Sequence, residues 1–205
     1  MNKIILGVVG LVIVGIMVYS LQGGESAEDY SERIAQERQR IRTYLRSAPD
    51  SPFAPDSIPF HELSYYEAKP EYRVTARLER VEDHKLLTLP TTSGEDEKYI
   101  RYGYAQFDLG GQPQRLLVLQ PFDQEESTLF VAFADATSGE ETYGGGRYLN
   151  VEMPSRTGQK TLELDFNLAY NPYCAYNPTF SCPFPPRENV MEIPVEAGEK
   201  TFEDK

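Results

Sequence analysis

The chain has 205 residues, 40% of them hydrophobic and 25% charged, a globular composition with length for one well-filled core and little room for a second. Nineteen of its 20 basic residues and all 32 acidic ones lie beyond Gly24, so residues 25–205 carry a formal charge of −13. A domain this acidic is repelled by phosphate backbones and anionic headgroups, which argues against nucleic-acid binding.

After Met1-Asn2-Lys3, residues 4–21 read IILGVVGLVIVGIMVYSL without a charge. As a helix this run spans about 27 Å, close to the hydrocarbon thickness of a bilayer. It predicts a single-pass signal anchor with everything beyond it outside the cytoplasm; the alternative is a signal peptide cut after Ser20, leaving a secreted or periplasmic chain. Residues 1–24 are assigned to this segment and its Gln22-Gly23-Gly24 linker.

Residues 25–58 predict an amphipathic helix and a proline-rich connection. Ser26 suits an N-cap with Asp29 three residues on. Tyr30, Ile34, Ile41, Tyr44 and Leu45 form a narrow apolar stripe over 27–47. Arg38, Arg40, Arg42 and Arg46 suit contact with an acidic partner or, more simply, a helix face docked on an acidic domain. Pro49 ends the helix.

Residues 59–205 change period. Tyr72, Val74, Ala76 and Leu78 alternate with charged or hydroxyl residues, as in a half-buried strand. Residues 98–107 (KYIRYGYAQF) make another, and Gly110-Gly111 turns it into 115–119 (RLLVL) as a hairpin. Residues 128–134 (TLFVAFA) belong inside the sheet system. Shorter strands are expected at 148–153, 161–167 and 190–195. The fold class is mainly β, an antiparallel sandwich or partly closed barrel behind one amphipathic helix.

Three segments offer chemistry. In Tyr143-Gly144-Gly145-Gly146-Arg147-Tyr148 the glycines permit close backbone approach to a ligand, or positive φ in a bent crossing, and Arg147 suits a carboxylate. A strand follows instead of the helix N-terminus a phosphate loop needs. In 165–171, Asp165, Asn167, Tyr170 and Asn171 can orient a ligand or a water, or tie down a loop. In 171–185 four prolines predict an ordered irregular loop, where Cys174 and Cys182 are candidates for a disulfide or for two buried free thiols. Nothing indicates a metal or other cofactor: the cysteines are too far apart for a C-x2-C ligand pair, and His61 and His84 are remote from them in sequence. G-x-S-x-G, H-E-x-x-H and C-x-x-C are all absent.

These segments resemble a family of bacterial proteins grouped as a domain of unknown function, in a short form without the additional N-terminal β region of longer relatives. The resemblance rests on Phe133, Asp135, Thr137, Gly139, Thr142, Tyr143, Arg147 and Tyr148. It continues through Leu164-Asp165-Phe166-Asn167, Ala169 to Pro172, Cys174-Ala175-Tyr176, Cys182-Pro183, Pro185-Pro186, Asn189 and Ala197-Gly198-Glu199. It implies one intact domain and brings no activity, cofactor or catalytic residue with it.

The reading is therefore a membrane-anchored, extracytoplasmic, non-catalytic module that binds a small ligand or an envelope protein. Its candidate surface comprises Tyr143, Arg147, Tyr148, Asp165, Asn167, Tyr170 and Asn171. The competing readings are an envelope hydrolase using Asp165, Asn167 and Tyr170, and an anchored assembly factor working through the arginine-bearing helix.

Overall fold

The computed structural model describes residues 25–54, 58–82, 85–122, 128–154 and 158–202. The expected membrane segment, residues 4–21, lies outside the described residues, as does His84. No helix among the described residues is long and apolar enough to cross a membrane.

Helix α1 (Ala27–Ser47) begins where Ser26 accepts the Asp29 N–H at 3.1 Å and ends as the chain turns extended at Ala48. Its apolar stripe is what docks: Tyr30, Ile34 and Leu45 are buried. The strands are β1 (Arg73–Arg80), β2 (Leu86–Pro90), β3 (Asp96–Leu109), β4 (Gln112–Pro121), β5 (Thr128–Phe133), β6 (Arg147–Glu152) and β7 (Thr161–Asp165). They form one antiparallel sheet in the order β6-β5-β4-β3-β1-β7, with β2 also paired to β3. Beyond β7, Tyr170 exchanges backbone hydrogen bonds with Tyr148 on β6 at 2.9 and 3.0 Å, so the sheet curls into a nearly closed barrel.

The long strand β3 organises this curl. It pairs with β2 through Asp96 to Ile100 and with β1 through Gly103 to Gln106, while β4 runs along its other edge. A bulge between Arg101 and Gly103 separates the two halves. A Cβ on Gly103 would sit 2.7 Å from the Glu79 carbonyl oxygen, so only glycine admits this close approach to β1. The extra residue also flips side-chain parity along β3. Ala105 and Phe107 enter the barrel core, whereas Tyr99 packs with Leu89, Leu117 and Leu119 on the outer face.

The barrel interior follows strict alternation. Leu116 and Val118, Leu129, Val131 and Phe133, Leu149 and Val151, and Leu162 and Leu164 meet there with Ala76 and Phe166. Each large aliphatic or aromatic side chain fully buried stabilises the fold by about 1.5–3 kcal/mol before entropy is counted. The continuous apolar run of β5 has its reason here: its odd residues face this core, while Phe130 and Ala132 face outward under the 171–186 loop.

Two expectations need correction. Residues 190–195 are not a strand; one parallel bridge joins Val190 to Ala134, and side chains take over much of the remaining pairing. Asp135 accepts the Val195 N–H at 3.1 Å, and Asn189 fills the gap between β4 and β5 by bonding Leu117 N–H, Leu117 O and Ala132 O at 2.6–2.9 Å. The strand expected over 161–167 stops at Asp165, whose carboxylate accepts the Asn167 N–H at 3.1 Å and starts a 3-10 turn, Phe166–Leu168. Strand β2 was not anticipated.

Candidate functional site

The glycine-rich segment builds an internal hub. Gly146 has φ +86°, and a Cβ there would lie 2.6 Å from Phe133 O, so the chain enters β6 by the bent crossing that glycine permits. Arg147 follows, fully buried, with Nη2 2.8 Å from Asp135 Oδ2 and 2.9 Å from Val195 O. Its Nη1 donates to Ala197 O and Glu199 O. The guanidinium thus neutralises a buried carboxylate and satisfies three carbonyls of the C-terminal segment. Because the side chain is wholly buried and apart from the groove, Arg147 is not presented to a ligand carboxylate at the surface, contrary to the expectation for it.

Asp165 and Asn167 form a second internal network, the clamp that seats α1. The Tyr30 hydroxyl donates to Asp165 Oδ1 at 2.8 Å. Asn167 Nδ2 donates to the Tyr30 hydroxyl and to Lys69 O at 2.6 and 2.8 Å, and Asn167 Oδ1 accepts the Lys69 N–H at 2.9 Å. Arg33 lies 3.8 Å from Asp165 Oδ2. Desolvation, reinforced by the Asp165 carboxylate, pushes the Tyr30 hydroxyl pKa well up, so it remains a donor. Of the helix arginines, Arg38 turns inward, Arg42 and Arg46 reach across to the domain, and Arg40 stays exposed on the helix itself. Arg38 donates to Tyr66 O and Asn167 O, Arg42 and Arg46 pair with Glu62, and Arg40 pairs with Glu37. The helix face is docked on the acidic domain.

The remaining candidates separate from these. Tyr148, Tyr170 and Asn171 line a groove of about 1210 Å³ on the outer face of the sheet, to which Arg147, Asp165 and Asn167 do not contribute. The expected grouping of Asp165 and Asn167 with Tyr170 therefore does not assemble: strand β7 ends in a turn that sends the first two toward α1. Tyr143 turns to the cysteine loop, its hydroxyl 4.0 Å from Cys174 Sγ.

The groove wall is a run of aromatic rings. Tyr99 stacks on Phe130 with centroids 5.4 Å apart and planes at 16°. Phe130 meets Tyr148 edge to face at 4.7 Å, and Tyr148 meets Tyr170 the same way at 5.8 Å. Tyr173 and Phe180, from the loop above, form another perpendicular pair at 5.5 Å. Such mutual geometry holds each ring in place without side-chain entropy left to lose on binding. Polar groups interrupt the wall. The Tyr170 hydroxyl donates to Asn150 Oδ1 at 3.0 Å, the Tyr99 hydroxyl donates to Glu97 at 2.8 Å, and the Tyr148 hydroxyl donates to Pro183 O at 2.6 Å. At the end near α1, Tyr44 hydrogen-bonds Asp50 at 2.7 Å.

Tyr99, Phe130, Asn150, Tyr173 and Phe180 were not among the sequence candidates. The available signals were Gly103 inside a tyrosine-rich strand, which marks a bulge, and the even positions of β5, too apolar for an outer face left in water. Asn171 borders the groove but directs its backbone N–H to Glu199 Oε2 at 3.0 Å and its amide nitrogen to Lys200 O at 2.8 Å. Glu199 is wholly buried, and desolvation, only partly offset by Asn171 and the Tyr176 hydroxyl, raises its pKa to about 7.

Cys174 and Cys182 are free thiols, not bridged, although the Cys174 N–H points at Cys182 Sγ at 3.1 Å. Among the described residues no group of three or more His, Cys, Asp or Glu side chains could hold a metal ion.

A nearly closed antiparallel barrel, sealed by a buried Arg–Asp hub and carrying an aromatic groove on its outer face, is the class of domain these features define. The chain belongs to the DUF1684 family, proteins of unknown function, whose profile matches residues 59–200. It is also similar to an uncharacterized protein of Haloarcula marismortui solved by solution NMR, with 36% identity and a TM-score of 0.67 over 85% of this chain and 95% of that one. No curated protein matches it.

Proposed function

We propose that this DUF1684 chain is a non-catalytic binding module whose small organic ligand lies in the outer-face groove. The observation that carries this reading is the continuous Tyr99–Phe130–Tyr148–Tyr170 ring wall, locked by mutual edge-to-face and stacked contacts. The half-buried rings of Phe130 and Tyr170 offer apolar surface to a ring or sugar face, with Tyr99 and Tyr148 buried behind them, while Asn150 and Glu97 offer hydrogen bonds at the edge. A volume of about 1210 Å³ exceeds the roughly 300–1,000 Å³ of most small-molecule sites, so the ligand occupies part of the groove. The uncharged run at 4–21 supports display outside the cytoplasm on a single membrane anchor.

A thermal-shift screen of ring-bearing polar compounds against the intact chain in mild detergent tests the binding reading. Binders are expected to raise the melting temperature of the wild type and to lose that effect in Tyr170→Ala and Asn150→Ala. Binders that stabilise all three proteins equally would place the ligand elsewhere. Mass spectrometry of membrane-extracted protein tests the anchor; a chain beginning at Leu21 would establish cleavage after Ser20 instead.

A further inference from the structure

The aromatic groove does not account for the two cysteines of the loop above it. Cys174 is half-buried and Cys182 buried. They sit at two bends of the same loop, packed with Tyr148, Tyr170, Tyr173 and Phe180. The loop is pinned at Cys182, whose N–H is donated to Thr92 Oγ1 at 3.1 Å and whose carbonyl accepts the Thr92 N–H at 3.0 Å. The Cys174 N–H aims at Cys182 Sγ at 3.1 Å, and the Tyr143 hydroxyl stands 4.0 Å from Cys174 Sγ. Two sulfurs thus share one polar niche, and one of them, Cys182, lines the groove.

The niche treats the sulfurs unequally. Hydrogen bonding from Cys182, joined by the hydroxyls of Thr92 and Tyr143, outweighs burial and lowers the Cys174 pKa. The same hydrogen bond, together with burial, pushes Cys182 up, and Glu97 across the groove adds to that rise. Cys174 is thus the more acidic of the two thiols and, half-buried beside a buried Cys182, also the more accessible. That is the arrangement dithiol exchange needs, since the thiolate attacks first and the thiol resolves.

We propose that Cys174 and Cys182 form a thiol–disulfide exchange site that takes a low-molecular-weight disulfide at the half-buried Cys174. The Cys174 thiolate attacks one sulfur of the disulfide; that S–S bond breaks, a Cys174 mixed disulfide forms, and the first small thiolate leaves. Cys182 then attacks Cys174 Sγ, its proton passing to the second departing thiolate. The protein gains one Cys174–Cys182 bond and loses two electrons, which reduce the small disulfide to two thiol equivalents.

The test uses the intact, reduced chain with cystamine as the small disulfide and iodoacetamide as the alkylating probe. Cys174 is expected to be alkylated with a midpoint below the ordinary thiol range, and cystamine is expected to yield an unadducted protein lighter by two hydrogens. Cys182→Ser is expected to stop at a cysteamine adduct on Cys174 and to move the alkylation midpoint upward. Cys174→Ser is expected to form no adduct. An ordinary alkylation midpoint for wild-type Cys174, or cystamine-treated wild-type protein retaining both thiols with unchanged near-UV circular dichroism, would overturn the proposal. Either wild-type reading is decisive without the variants, so a substitution that fails to fold does not protect the proposal. The groove reading of function is unaffected by either result.

Discussion

Arg147 Nη2 lies 2.8 Å from Asp135 Oδ2, and neither side chain has any solvent-accessible surface. Asp135 also accepts from Thr137 and from the Val195 N–H, while Arg147 reaches carbonyls on Val195, Ala197 and Glu199. One ion pair therefore organises the C-terminal segment that would otherwise have needed a strand partner. Replacing Arg147 by Met leaves a buried carboxylate without its counter-charge, which costs about 3–5 kcal/mol. Urea unfolding is expected to show that loss, with partial recovery in Arg147→Met/Asp135→Asn. A loss below about 1 kcal/mol would mean that the pair acts like a surface one.

The helix clamp makes a different prediction. Tyr30→Phe keeps the ring but removes the hydroxyl that donates to Asp165 and accepts from Asn167. A loss of about 1–3 kcal/mol is expected, because both partners stay buried. Hydrogen exchange localises it: amides of α1 are expected to exchange faster while those of the β3–β4 ladder keep their protection. Uniform acceleration across both would refute a local docking role.

Glu199 gives stability a pH dependence. Its folded-state pKa, raised to about 7, stands above the unfolded value near 4.5. Between those values the unfolded chain releases a proton that the folded chain keeps, so rising pH favours unfolding. Stability from this group is whole below about pH 4.5 and falls until about pH 7, by a few kcal/mol at most. In Glu199→Gln, which stands in for the protonated acid, that decline is expected to vanish from denaturation curves recorded over this window. A decline of the same slope in the variant would assign it to other groups.

Backbone geometry is testable by contrast. Gly146 and Gly111 both have positive φ, but a Cβ on Gly146 meets Phe133 O and Pro185 Cγ at 2.6 Å, whereas one on Gly111 meets nothing within 4 Å. Gly111→Ala is expected to cost roughly the strain alone, about 1 kcal/mol, and Gly146→Ala distinctly more, about 3 kcal/mol or above. Thermal denaturation of the two single variants reads the difference directly. Equal losses would show that the β6 entry relaxes around a methyl group.

Some of this was written in local pattern and some was not. The sequence by itself determined helix α1 with its Ser26 cap, the alternation of β1, the Gly110-Gly111 hairpin and the two-sided burial of β5, because each depends on neighbours a few residues apart. It also singled out Arg147, beside three glycines, and Asp165 and Asn167, at a strand end, as candidates to meet a ligand or tie down a loop. Only the tertiary structure decided who the partners are: Asp135 for Arg147 across 12 residues, and Tyr30 for Asp165 across 135. That turned three expected ligand contacts into internal ones. The groove likewise depends on a bulge at Gly103 that changes which face Tyr99 takes, and on a proline-rich loop folding back over β5 and β6. Periodicity names the faces of a strand, but only the closed sheet determines what covers each face, because burial is a property of the whole chain's path.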